Sequence, residues 1–164
     1  MSPTDFQHHF NTAVHEIYSV YPSLTPEETY LSPHWPTLGL HLSDILKLED
    51  EYNKSAVLAP TEEFATILCT ATWFLFETNA LAKVTSLLPT LHVVTLATRP
   101  GNDFIVAQMY RLHLNMSLAN REYKTVLNYA HLMLDTLKRI TPRDEFILAE
   151  RAGLRGWLHR GFLF

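Results

Sequence analysis

The chain has 164 residues, of which 47% are hydrophobic and 18% charged, and its formal net charge is −4. That apolar share excludes a disordered chain, and at this length a single domain over 1–164 can bury roughly two thirds of its unfolded surface. No apolar run reaches the ~18 residues that cross a bilayer, since the best one, 64–76, is short and broken by threonines.

The punctuation predicts helices throughout. Thr4 followed by Gln7 has the spacing of a capping box, so a first helix is expected from there to about Tyr21. Phe6, Phe10, Ala13, Val14, Ile17 and Val20 recur at three- and four-residue steps, which is one buried stripe. Pro22 ends that helix. Thr25-Pro26-Glu27-Glu28 starts a second, short one, because Pro33 and Pro36 follow and bias the chain toward a turn. A third helix is expected from Pro36 or Thr37, with Leu38, Leu42, Ile45, Leu46 and Leu48 inward, fading in the polar run 49–54.

Pro60-Thr61-Glu62-Glu63 opens a helical hairpin from Glu62 to Pro100, and a second one runs from Asp103 to Pro142. Asn79 and Asn120 sit at their bends, and Pro89 should kink the second helix of the first hairpin. A shift of 41 residues superposes Leu68 on Met109, Ala71 on Leu112, Leu75 on Met116, Val84 on Thr125, Leu88 on Tyr129 and Leu91 on Leu132. Such a period belongs to stacked helix-pair repeats. Thr141-Pro142 starts a closing helix to about Arg160, which makes seven or eight helices in all. The domain thus divides into an acidic helical section (1–58), two hairpins (61–142) and a basic closing segment (142–164).

Charge follows the same division. Residues 1–82 hold 11 acids and two bases, Lys47 and Lys54, for −9; residues 83–164 hold 6 acids and 11 bases, for +5. Charge separated in this way steers association more than it shapes a fold. Cys69 is the only cysteine, so an intrachain disulfide is excluded and a reducing, intracellular setting, cytoplasmic or nuclear, is expected. On an apolar helix face Cys69 reads as a small buried hydrophobe. The N-terminus, with Asp5, Gln7, His8 and His9, lacks the layout of a secretion signal.

Catalytic chemistry finds little to stand on. His8 and His15, like His34 and His41, are seven apart, which on a helix is about 10 Å, too far for one metal ion. The chain has no Glu-x-x-His, no Gly-x-Ser-x-Gly and no phosphate-cradling glycine loop among its five glycines. Glu28, Glu62 and Glu63 lie at helix starts and suit the helix dipole, whereas Glu49-Asp50-Glu51 ends a helix and reads as a solvated face or an acidic binding patch. No metal, cofactor or enzymatic activity is therefore expected. The closing segment is more suggestive. From Lys138 to Phe164 it holds six bases and three acids, with Arg151 and Arg155 on one helix face beside Trp157, Phe162 and Phe164. Three readings fit it: a cap on the preceding hairpin, a protein interface, or a nucleic-acid or lipid contact. Overall acidity weighs against nucleic acid, because phosphate neutralisation supplies most of that affinity.

The second hairpin resembles the tetratricopeptide-repeat superfamily. Met109, Leu112 and Met116 take the first-helix positions, Asn120 the turn and Tyr129 the aromatic of the second helix. His113, Thr125 and Leu132 depart from the small residues of that pattern. The resemblance implies a short solenoid, or an irregular helical bundle, that binds other protein subunits through the first helices of its hairpins. Trp73, Glu77, Gln108, Tyr110, Arg111 and Asn115 are the candidate lining residues, although some must face the core. The function expected is a non-enzymatic interaction scaffold or complex subunit; the alternatives are a small helical enzyme or ligand-binding bundle, and a nucleic-acid-associated subunit acting through the C-terminal arginines.

Overall fold

A computed structural model describes residues 2–25, 31–99 and 101–140, and among these the chain is all-helical, with no strand. The helices are α1 (Pro3–Tyr18), α2 (Trp35–Lys54), α3 (Glu62–Glu77), α4 (Leu81–Ala97), α5 (Asp103–Ala119) and α6 (Tyr123–Leu137), and a 3-10 turn at Ser32–His34 leads into α2. The short helix expected from Pro26 and the closing helix expected after Pro142 lie outside the described residues. Contacts gather into two compact units, the first carrying α1 to α4 and the second α5 and α6.

In α1 the cap belongs to Ser2, not Thr4. The Ser2 hydroxyl accepts the Asp5 N–H at 3.2 Å, and the Asp5 carboxylate accepts the Ser2 N–H at 3.0 Å. Pro3 then occupies the first helical position, where no backbone donor is needed. The Ser2 N–H bonds to the charged form of Asp5 and holds its carboxyl below the ordinary carboxylate range. Gln7 is thereby free to act at long range: its amide nitrogen donates to the Ala59 carbonyl at 3.0 Å and its oxygen accepts the Ala59 N–H at 2.7 Å. Because α1 stops at Tyr18, Val20 falls outside the helical period and is 56% exposed, unlike the rest of its expected stripe.

α3 is the centre of the first unit, packed against α1, α2 and α4. Phe64, Ala65, Ile67, Leu68, Cys69 and Ala71 are fully buried, so apolar side chains leave it in every direction. Thr66, Thr70 and Thr72 suit this position because each hydroxyl donates to the carbonyl four residues earlier and needs no outside partner. Cys69 is buried as expected, and burial pushes its thiol pKa well up. Phe10 of α1, Tyr52 of α2 and Phe64 of α3 meet in one aromatic cluster, with Phe10 edge-on to Phe64 at 5.1 Å and Tyr52 5.5 Å from the same ring.

The two hairpins share one turn. After α3, the Ala80 N–H donates to the Leu75 carbonyl at 2.8 Å and the Asn79 N–H to the Phe76 carbonyl at 3.0 Å. After α5, the Glu122 N–H donates to the Ser117 carbonyl at 2.8 Å and the Arg121 N–H to the Leu118 carbonyl at 3.0 Å. Both are Schellman ends, with the left-handed residue at Asn79 (φ 60°) and Arg121 (φ 61°). Hence Arg121, not Asn120, is the structural counterpart of Asn79. The reason is that α5 has 17 residues against 16 in α3. A shift of 41 aligns the helix starts Glu62 and Asp103, but 42 aligns the next ones, Leu81 and Tyr123. In the second helices Val84, Leu88 and Leu91 therefore correspond to Val126, Ala130 and Met133, all buried, in place of Thr125, Tyr129 and exposed Leu132. Pro89 lies inside α4, which continues through it to Ala97 and leaves the Thr85 carbonyl without its helical donor.

A left-handed backbone suits asparagine and glycine and disfavours arginine. Arg121→Gly is expected to raise stability by about 0.5–1 kcal/mol, and Asn79→Gly to be nearly neutral, as read from urea midpoints.

Candidate functional site

The six described candidate residues divide between the two units. Trp73 and Glu77 belong to α3 in the first; Gln108, Tyr110, Arg111 and Asn115 belong to α5 in the second.

On α5, Gln108, Arg111 and Asn115 are spaced by three and four residues and share a face. Gln108 is buried, whereas Arg111 and Asn115 are half-buried, so this face opens toward the C-terminal half of the helix. Tyr110 points elsewhere. It is buried, with its ring 6.1 Å from that of Tyr129 on α6. His113 stacks nearly parallel on the same Tyr129 ring, at 4.5 Å and 15°. Burial, then the neighbouring Tyr110 and Glu122, raise the Tyr129 phenol above its ordinary pKa. Beneath these rings Leu114, Val126 and Ala130 form the local core, with Leu118 packed against it. Arg139, just past the end of α6, pairs with Asp103 at the start of α5 at 3.5 Å.

In the first unit, Trp73 is buried and packs edge-on against Phe76 at 5.6 Å. Glu77 has a different role from the one expected. Its two carboxylate oxygens accept the Leu31 N–H at 3.1 and 3.2 Å, and Oε2 also accepts the Trp35 indole N–H at 3.0 Å. The last residue of α3 therefore fixes both ends of the turn that feeds α2, with Leu31 sunk in the core at 1% exposure. Sequence reading missed this latch. The signal available was Trp35 held between Pro33 and Pro36, but its acceptor lies 42 residues away.

The acidic run at the end of α2 also resolves into separate roles. Glu49 is half-buried and accepts the Thr90 hydroxyl of α4 at 2.6 Å, while the Asn53 amide donates to Thr90 at 2.9 Å. Asp50 pairs with Lys54 at 2.5 Å, and Glu51 is exposed. His15, one of the paired-spacing histidines, lies 3.0 Å from Glu63 across α1 and α3. Among the described residues no three His, Cys, Asp or Glu side chains are placed to hold one metal ion. No described helix is long and apolar enough to cross a membrane. Arg151, Arg155, Trp157, Phe162 and Phe164 lie outside the described residues.

Arg111 and Asn115 are half-buried, one turn apart on α5, whereas the Glu77 carboxylate is spent within the fold. Glu77→Gln keeps one acceptor oxygen but turns an amide N–H toward two donors. It should lower stability by about 1–2 kcal/mol, measured by denaturant unfolding followed through tryptophan fluorescence. No family model matches the chain, and no curated protein or solved structure matches it either.

Proposed function

We propose that this protein is a non-enzymatic interaction subunit that binds another protein through α5. Arg111 and Asn115 are the principal contacts. The observation that carries this reading is their placement, half-buried and one turn apart, on a helix otherwise lined by buried residues such as Val106, Met109, Leu112 and Met116. The planar fork of an arginine suits carboxylates and carbonyls. Arginine is also enriched among the residues that dominate interface energy.

Two further features support assembly. The described part of the first unit (2–24 and 31–99) holds nine acids and four bases, net −5; that of the second (101–140) holds three acids and five bases, net +2. Opposite signs on one chain favour contact with neighbours of complementary charge. The repeated hairpin, with its identical turn, fits two copies of one helix-pair repeat of the tetratricopeptide kind. Arg151, Arg155, Trp157, Phe162 and Phe164 form the second proposed contact, which rests on the sequence alone.

The test is capture from native extract with the tagged full chain. A stable complex is expected, and the double variant Arg111→Ala, Asn115→Ala should weaken it by about 2 kcal/mol, roughly 30-fold in Kd, under conditions where unfolding shows the variant folded. Undiminished capture by that variant removes α5 as the binding face. A monodisperse monomer with no companion favours the small-enzyme alternative. Heparin retention that falls steeply with salt favours nucleic acid.

A further inference from the structure

We propose that Ser32 is a phosphorylation site for a proline-directed serine/threonine kinase, and that the phosphate releases the latch made by Glu77. The chain carries four Ser/Thr-Pro dipeptides, at Ser2, Thr25, Ser32 and Thr141. The Ser2 hydroxyl is engaged as the cap of α1, Thr25 is half-buried, and Thr141 lies outside the described residues. Ser32 and Pro33 are both exposed, and the Ser32 hydroxyl has no hydrogen bond among the described residues.

The position of this dipeptide gives the modification a consequence. Ser32 and Pro33 are the part of the Leu31–Trp35 turn that projects outward, and both anchors of that turn are held by the one Glu77 carboxylate. In the transfer the Ser32 hydroxyl oxygen bonds to the γ-phosphorus of ATP, the bond from that phosphorus to the β-phosphate oxygen breaks to release ADP, and the hydroxyl proton passes to a base of the kinase. The product places close to two negative charges on the residue next to Leu31, whose N–H Glu77 holds. Among the described residues of this unit the only Lys and Arg are Lys47, Lys54, Lys83 and Arg99, none of them in the turn. No Lys or Arg of the turn offsets repulsion from Glu77, His34 being its one basic side chain, and the Leu31 N–H and the Trp35 indole lose their acceptor. The turn then loosens, and Leu31 leaves the core with it.

The experiment treats the full chain with a proline-directed kinase and Mg-ATP, maps the phosphate by mass spectrometry, and follows amide hydrogen exchange over 31–35. Phosphate is expected on Ser32 and absent there in Ser32→Ala. Exchange at Leu31 should rise about tenfold on phosphorylation. In Glu77→Gln it should already be raised and change little further. No phosphate on Ser32, with the kinase active on a control peptide, overturns the site. Phosphate on Ser32 with Leu31 protection unchanged overturns the release of the latch.

Discussion

The burial of α3 on all its sides, ten of its sixteen residues, is the constraint from which the rest of the first unit follows. A helix that sends apolar side chains in every direction cannot be satisfied by one partner, so α1, α2 and α4 are all recruited to it. Its threonines turn their hydroxyls back onto their own helix, and Thr70 Oγ1 also accepts the Leu24 N–H at 3.5 Å. Polar ties appear where those neighbours must also be fixed to each other or to the connecting segments. Gln7 binds Ala59 on the approach to α3, Thr90 binds Glu49 and Asn53 between α4 and α2, and Glu77 fixes the entry to α2.

Glu77 is placed against its own helix, because a carboxylate at a C-terminus gains nothing from the dipole. Its gain comes instead from the Leu31 N–H, which needs an acceptor as Leu31 enters the core, and from the more exposed Trp35 indole. One side chain thereby couples the end of α3 to the start of α2, and it also makes that turn depend on a single charge. The same residue, judged by polarity and position, resembles a partner-binding group, which shows why exposure must be known before a polar residue is assigned outward.

The two hairpins bear on function in a different way. They share a turn down to its hydrogen bonds, yet their buried sets are offset by the single residue that lengthens α5. With the register corrected, Val126, Ala130 and Met133 are the buried positions of the second hairpin's second helix, Val126 and Ala130 clustering with Leu114 of α5, while His113 stacks on Tyr129.

The sequence alone determined the helical class, the two hairpins, the buried cysteine and the starts of α2 and α3, because proline positions, capping residues and 3.6-residue periodicity are local properties. It placed α1's cap two residues too late, since Ser2-Pro3-Thr4-Asp5 and Thr4 to Gln7 both have box-like spacing and only the contact of Gln7 with Ala59 separates them. It set the repeat at 41 throughout, because an added helical residue leaves no mark in composition. Of the candidate contacts, Trp73, Gln108 and Tyr110 went inward and Glu77 into the latch, leaving Arg111 and Asn115 half-open. Only tertiary structure could decide this: which side of a helix faces water depends on the neighbours it packs against, and those neighbours lie dozens of residues away.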